Sequence, residues 1–201
     1  MISKYNETLY NEACKHLKQR VKASRYKHSL GVAETCYKLA VIYKYPNPEK
    51  ARFTGLLHDW DKGLSAKEEQ KKVRKYSISL NKLVVESMPW VLHGFTAAAS
   101  LPEQFPEVDQ EMCQAIARHT TADFNMSQLD MILYVADLIE PNRNFEGVSE
   151  LRELVGNKSL EYVYFSSFKH TFMYLISSNA ILYPKTLDLW NDFIMKKIPN
   201  F

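Results

Sequence analysis

Apolar residues recur at three- and four-residue intervals along almost the whole of this chain, and strict alternation is rare. That period belongs to the α-helix, so the sequence must bury helical stripes against one another. Glycine is scarce, at 6 in 201 residues, which argues against a sheet-rich fold with many tight turns. The punctuation agrees. A first helix is expected over 4–22 and a second from Ser24 as N-cap through HSLGVAETCYKLAVIYK. Asn47 followed by Pro48 starts a third, which carries ARFTGLLHDW. Ser65–Glu68 and Ser127–Asp130 have capping-box spacing. Pro89 starts a helix that should end at Pro102, another is expected from Glu107 to His119, and Pro141 ends MILYVADLIE. Shorter helices are expected near 149–155, 158–181 and 186–197. The fold class is all-α.

With no repeat and no linker-like stretch, residues 1–201 read as one domain: a core over about 20–145 and a C-terminal helical extension over about 146–201. The net charge of +3 is too small for a dedicated nucleic-acid binder but leaves room for a local anion pocket. Three widely separated cysteines, Cys14, Cys36 and Cys113, read as reduced thiols. The N-terminal stretch lacks the apolar core of a signal peptide, and no stretch approaches the length of a membrane span. A cytoplasmic protein with no membrane or nucleic-acid partner is expected. Exposed aromatics on the last helices would allow a homodimer.

Four of the six histidines stand at suggestive places. His28 opens the second helix, and His58 ends the third beside Asp59. His93 lies one turn after Pro89, and His119 closes its helix. Asp137 interrupts the apolar run LYVADLI, where an unpaired carboxylate would be costly to bury. Each alone is most simply structural, and His16 and His170 are read that way. Jointly, His28, His58, Asp59 and Asp137 offer imidazole and carboxylate ligands from separate helices, a set suited to iron, manganese, zinc or nickel in a bundle core. Asp59 has two oxygens and could bridge two ions. His93 and His119 are candidates for a second ion or for donors to phosphate. The aromatic run YVYFSSF is read as core, and KEEQKKVRKY as a solvated helix face.

The series His28, His58-Asp59, Asp137 resembles the signature of the HD superfamily of metal-dependent phosphohydrolases. RYKHSLGVAE, GLLHDWDKG, LHG, ARHTTA and YVADLIEPNR resemble, in order and spacing, the YqeK branch of that superfamily, and ILYPKTLDLWN is similar to its ending. The resemblance covers roughly residues 20–190. It implies an HD-type helical bundle with a metal site in its core, and an activity like that of symmetrical bis(5′-nucleosyl)-tetraphosphatases, which split diadenosine tetraphosphate into two ADP. It further implies His28, His58, Asp59 and Asp137 as ligands to one or two metal ions, iron being favoured over manganese, cobalt, nickel or zinc. Asp59 through Lys62 would approach the nucleotide phosphates, and His93, His119, Thr120 and Arg143 would line the phosphate site. The segment from Tyr183 to Thr186 would close over the nucleotide.

A tetraphosphate bridge needs a nucleophile and charge neutralisation. A His/Asp-held metal would supply hydroxide near neutral pH, Lys62 would neutralise a phosphate oxygen, and Arg143 offers a planar fork of donors. Without the resemblance, Lys62 reads equally as a solvated loop charge and Arg143 as an ion pair with Glu140 or Glu146. Arg25 meets either phosphate or a carboxylate. Asp61, a negative charge beside an anion site, should point away. The alternatives are another HD-type hydrolase, a 5′-nucleotidase or phosphodiesterase, and a helical module that binds nucleotide without turnover.

Overall fold

The computed structural model describes residues 4–196, and these form eleven helices with no β-strand. In order they are α1 (Glu7–Arg20), α2 (Ala23–Ile42), α3 (Pro48–Leu57), α4 (Ala66–Lys75), α5 (Lys82–Ser87), α6 (Pro89–Gln104), α7 (Gln110–Arg118), α8 (Gln128–Ile139), α9 (Val148–Leu154), α10 (Leu160–Ser177) and α11 (Thr186–Met195). Both expected capping boxes form, at Ser65–Glu68 and at Ser127–Asp130, and Asn47 caps α3 with Pro48 in its first turn.

Several boundaries differ from expectation for local reasons. Helix α2 is preceded by Lys22, which makes no side-chain cap, and Ser24 already lies in the first turn. The buried Val21 ends α1 with extended backbone, so the chain re-enters a helix at once. Pro102 does not stop α6, because in the final turn it removes only one intrahelical bond. Helix α7 starts after Asp109, whose side chain accepts from the Met112 amide, rather than at Glu107. Helix α10 ends at Ser177, and Asn179 follows in left-handed conformation at φ 52°. Helix α5, too short for a clear period, is not among the expected elements. Residue 197, at the end of the last expected helix, lies outside the described residues.

Helix α8 is the centre. Leu129, Ile132, Leu133, Val135 and Ala136 are fully buried, as expected of a helix apolar on nearly every side. It packs against α2, α7 and α10, while α2 pairs along α3, and α6 lies on α7 and α4. Two glycines permit the approaches that matter. A Cβ on Gly55 would stand 2.9 Å from the Ala33 Cα and the Cys36 Sγ, so the glycine lets α3 close on α2. A Cβ on Gly94 would stand 2.9 Å from the Ile116 carbonyl and 3.2 Å from the His119 ring, so it lets α6 close on α7.

The aromatic residues Tyr164, Phe165 and Phe168 of α10 are buried in this core, together with Leu189 and Phe193 of α11. The charged α4 is less solvated than expected, since Glu69 and Val73 are buried and Lys72 turns inward to Asp61. Cys36 is buried and Cys14 and Cys113 are half-buried, all as free thiols. No helix among the described residues is long and apolar enough to cross a membrane.

Candidate metal centre

Five elements deliver the polar cluster. His28 comes from the first turns of α2, and His58 and Asp59 from the end of α3. His93 comes from α6, His119 from the end of α7, and Asp137 from α8. Leu56 and Leu57, both fully buried, anchor the end of α3. Trp60, 2% exposed, wedges the next turn against Phe105 and under the Arg20 guanidinium. The cluster is therefore held by packed side chains on both sides of the His-Asp pair.

The imidazoles are oriented from behind. His58 Nδ1 donates to the Gly55 carbonyl at 2.7 Å and His119 Nδ1 to the Ile116 carbonyl at 2.7 Å. His28 Nδ1 donates to Glu140 Oε1 at 3.1 Å. A neutral ring that donates through Nδ1 keeps its lone pair on Nε2. The Nε2 atoms of His28 and His58 are buried without a hydrogen-bond partner. They face carboxylate oxygens instead: His28 Nε2 lies 3.0 Å from Asp137 Oδ1, and His58 Nε2 lies 3.3 Å from Asp59 Oδ2. Lone pairs set against carboxylate oxygens in a buried site repel one another unless a proton or a metal cation lies between. His28, His58 and Asp137 offer ligand atoms close enough together to share one divalent metal, as do His58, Asp59 and His119, and these donors suit the hard-to-borderline class that imidazole and carboxylate select.

Asp59 turns its other oxygen the opposite way. Oδ1 lies 3.1 Å from His93 Nε2 and 3.9 Å from His119 Nε2. Its two oxygens thus face two histidine pairs. The second pair is differently poised. Lys62 Nζ, which only donates, lies 3.2 Å from His93 Nδ1, so His93 carries its proton on Nε2. That proton is shared between Asp59 Oδ1 and His119 Nε2, the latter 3.1 Å away. His93 would have to shed it to ligate an ion. Thr120 Oγ1 donates to His119 Nε2 at 3.0 Å.

The electrostatics follow from this crowding. Burial acts to push the Asp59 and Asp137 carboxyls up, but the surrounding histidines, and Arg143 for Asp137, outweigh it and hold both well below the usual carboxylate range. Burial acts to lower His58, and the charges of Asp59 and Asp137 reverse this and raise it. Burial and His93 push His119 down to about 3, and burial lowers His93 and Lys62. The cluster keeps its carboxylates charged and His119 neutral, the ionisation a metal site needs.

Three cations surround it. Arg25 Nη1 donates to Asp59 Oδ2 at 2.8 Å, so its partner is a carboxylate of the cluster itself. Arg143 does not pair with Glu140 or Glu146. Its Nη2 donates to Asp137 Oδ1 at 2.6 Å and its Nε to the Asp137 carbonyl at 2.9 Å. Lys62 Nζ donates to the Trp90 carbonyl at 3.1 Å and is partly enclosed, not a free loop charge. Asp61 is fully buried and turned away from the cluster, bound to Arg20 at 3.0 Å and Lys72 at 2.5 Å.

Glu140 stands outside the expected set. It is 1% exposed, orients His28, and accepts from the backbone and side-chain amides of Asn142 at 2.7 and 2.8 Å. The only hint in the sequence was a glutamate placed between an apolar helix and a Pro-Asn turn. Tyr183 and Thr186 do not touch the polar cluster but line an aromatic cavity of about 140 Å³ beside it, with Trp90, Thr120 and Phe172.

A family model described as the HD domain matches residues 25–142. A symmetrical bis(5′-nucleosyl)-tetraphosphatase from Staphylococcus aureus is 35% identical over 177 residues, covering 88% of this chain and 90% of that protein. One of the same description from Bacillus subtilis is 31% identical over 183 residues, covering 90% and 95%. Among solved structures, a predicted HD superfamily hydrolase involved in NAD metabolism from Clostridium acetobutylicum superimposes with a TM-score of 0.86 at 34% identity, covering 94% of this chain and 98% of that one.

Proposed function

The chain belongs to the HD domain family, and from that premise we propose that it is a metal-dependent hydrolase that cleaves diadenosine tetraphosphate symmetrically into two ADP. The observation that carries this is the pair of buried, unpartnered imidazole nitrogens of His28 and His58 aimed at Asp59 and Asp137. The symmetrical outcome is taken from the relatives, which carry that name over nearly the whole chain.

In this reading His28, His58, Asp59 and Asp137 hold the metal, with His93 and His119 available to a second ion sharing Asp59. Iron is the favoured ion, with manganese, cobalt, nickel or zinc as alternatives. When bound, a divalent metal supplies Lewis-acid charge neutralisation and makes coordinated water acidic near neutral pH. The chain's own groups do the rest. Lys62 spends two of its three donors on Trp90 and His93, leaving one for a phosphate oxygen. Arg143 keeps Nη1 free while Nε and Nη2 hold Asp137, so it orients a ligand and still meets phosphate. Thr120 offers its hydroxyl beside His119. Glu140 and the Gly55 carbonyl fix the imidazole tautomers. Trp60, Leu56 and Leu57 exclude water from behind the His-Asp pair. The segment from Tyr183 to Thr186 closes over one nucleotide, with Trp90 and Phe172 beside it.

The protein acts without a membrane or nucleic-acid partner, in the cytoplasm, and the exposed Leu187, Ile194 and Met195 of α11 suit a homodimer. The test is product analysis by the metal-loaded protein acting on diadenosine tetraphosphate. ADP as sole product supports the reading. AMP with ATP, or no turnover with any of the five metals, refutes it.

A further inference from the structure

Symmetrical cleavage breaks the central P–O–P link, so two identical ADP halves lie on either side of the reacting bond. A site with one nucleoside pocket would hold one half and leave the other in water. Openings flank the cluster on two sides. On one side Thr120, next to His119, leads into the small aromatic cavity at Tyr183. On the other side Arg143, bonded to Asp137, forms a wall common to two further openings. One is a polar mouth of about 300 Å³ that includes Arg25, Lys27 and Asn142. The next is a groove of about 970 Å³ that includes Phe145, His170, Met173 and Tyr174.

That order, cations first and apolar rings beyond, matches a phosphate chain followed by a nucleoside. The groove wall is one face of α10, since His170, Met173, Tyr174 and Ser177 are spaced by three and four. Met173 is 54% exposed and Tyr174 63% exposed, large side chains open to solvent beside a charged mouth. His170 packs on Phe145 with ring centroids 4.8 Å apart, giving an aromatic floor with a ring nitrogen for a base edge. Thr171 lines both the small aromatic cavity and the groove, so the two flank the same stretch of α10.

We infer that the groove beyond Arg143, walled by Phe145, His170, Met173 and Tyr174, is the subsite for the second nucleoside, and that it selects dinucleoside over mononucleoside polyphosphates; this rests on the symmetrical-cleavage reading above. Arg25, Lys27 and Arg143 carry the distal phosphates into it, while the first nucleoside lies on the Tyr183–Thr186 side whichever ligand is offered.

The experiment is calorimetric binding to the metal-loaded protein of two probes: the β,β′-methylene analogue of diadenosine tetraphosphate, which resists cleavage at the central link, and adenosine 5′-tetraphosphate. The wild type should bind the dinucleoside about ten-fold more tightly, and Tyr174→Ala should abolish that preference while leaving the mononucleoside affinity unchanged within about two-fold, as expected for loss of one base-stacking ring. Tyr174 is exposed, so the variant should fold, and Met173→Ala is the second probe of the same wall. Equal affinity of the wild type for both probes, or a variant that loses both alike, overturns the subsite. So does a variant that changes only its sedimentation behaviour, which would make the face a contact between copies of the chain. Selective dinucleoside binding without cleavage of the natural compound to ADP would sustain the subsite and refute the proposed activity; cleavage without selectivity would do the reverse.

Discussion

Replacing Glu140 by glutamine isolates the orientation of one ligand. In the native protein Glu140 Oε1 accepts from His28 Nδ1 at 3.1 Å, while Oε2 accepts from the Asn142 backbone amide at 2.7 Å. A backbone N–H cannot be turned round, so the glutamine must present its oxygen to Asn142 and its NH₂ to His28. An NH₂ there forces Nδ1 to accept and moves the ring proton to Nε2. The lone pair that faces Asp137 is lost unless the hydrogen bond to the new side-chain amide is broken. Partners behind a ligating histidine are worth roughly 10- to 100-fold in metal affinity, or about 1.4–2.7 kcal/mol. Because the change is isosteric, the metal-free protein should lose no more than about 1 kcal/mol of stability. The assay is competitive metal titration against a chromophoric chelator, with chemical denaturation of the metal-free form alongside. Unchanged metal affinity in a folded Glu140→Gln protein would refute the tautomer argument and the role given to His28.

Asp61→Ala leaves Arg20 and Lys72 without their buried partner. Both cations reach water, so the expected loss is about 1–3 kcal/mol in urea denaturation, below the full cost of breaking an enclosed pair. Gly55→Ala drives a methyl into the backbone of α2 at 2.9 Å and should cost about 1–3 kcal/mol and weaken metal binding, because His28 and His58 move apart. Burial raises Glu69 to about 7. The folded state therefore holds a proton that the unfolded state releases near its ordinary value of 4.5, and stability falls as pH rises between the two. Glu69→Gln should match the wild type at pH 4 and exceed it at pH 8 by up to about 3 kcal/mol, less where water at the rim screens the charge, as read from denaturation midpoints across that range.

The helical class and most helix starts were legible because they rest on local chemistry: capping boxes at Ser65 and Ser127, and Asn47 before Pro48. The cluster of His28, His58, Asp59 and Asp137 was legible because each member is a ligand type at a helix end or in an apolar run. What stayed hidden depends on the chain folding back on itself. Glu140 meets His28 across 112 positions, and no local pattern announces that pairing. Arg143, which without the family resemblance reads as an ion-pair partner of Glu140 or Glu146, is returned to Asp137 by the turn after α8. Asp61 was expected to point away from the anion site, but its partners on α1 and α4 come from separate stretches of sequence. Short α5 offered too few residues for a period to show.

The central claim is that one divalent ion sits among His28, His58, Asp59 and Asp137 and relieves the opposition of imidazole lone pairs and carboxylates. Anomalous difference density from crystals of the metal-loaded protein, collected on either side of the metal's absorption edge, tests it directly. A peak about 2.0–2.2 Å from His28 Nε2, His58 Nε2 and oxygens of Asp59 and Asp137 is the predicted result. A metal-loaded protein whose anomalous peak lies elsewhere, with these four side chains uncoordinated, would contradict it.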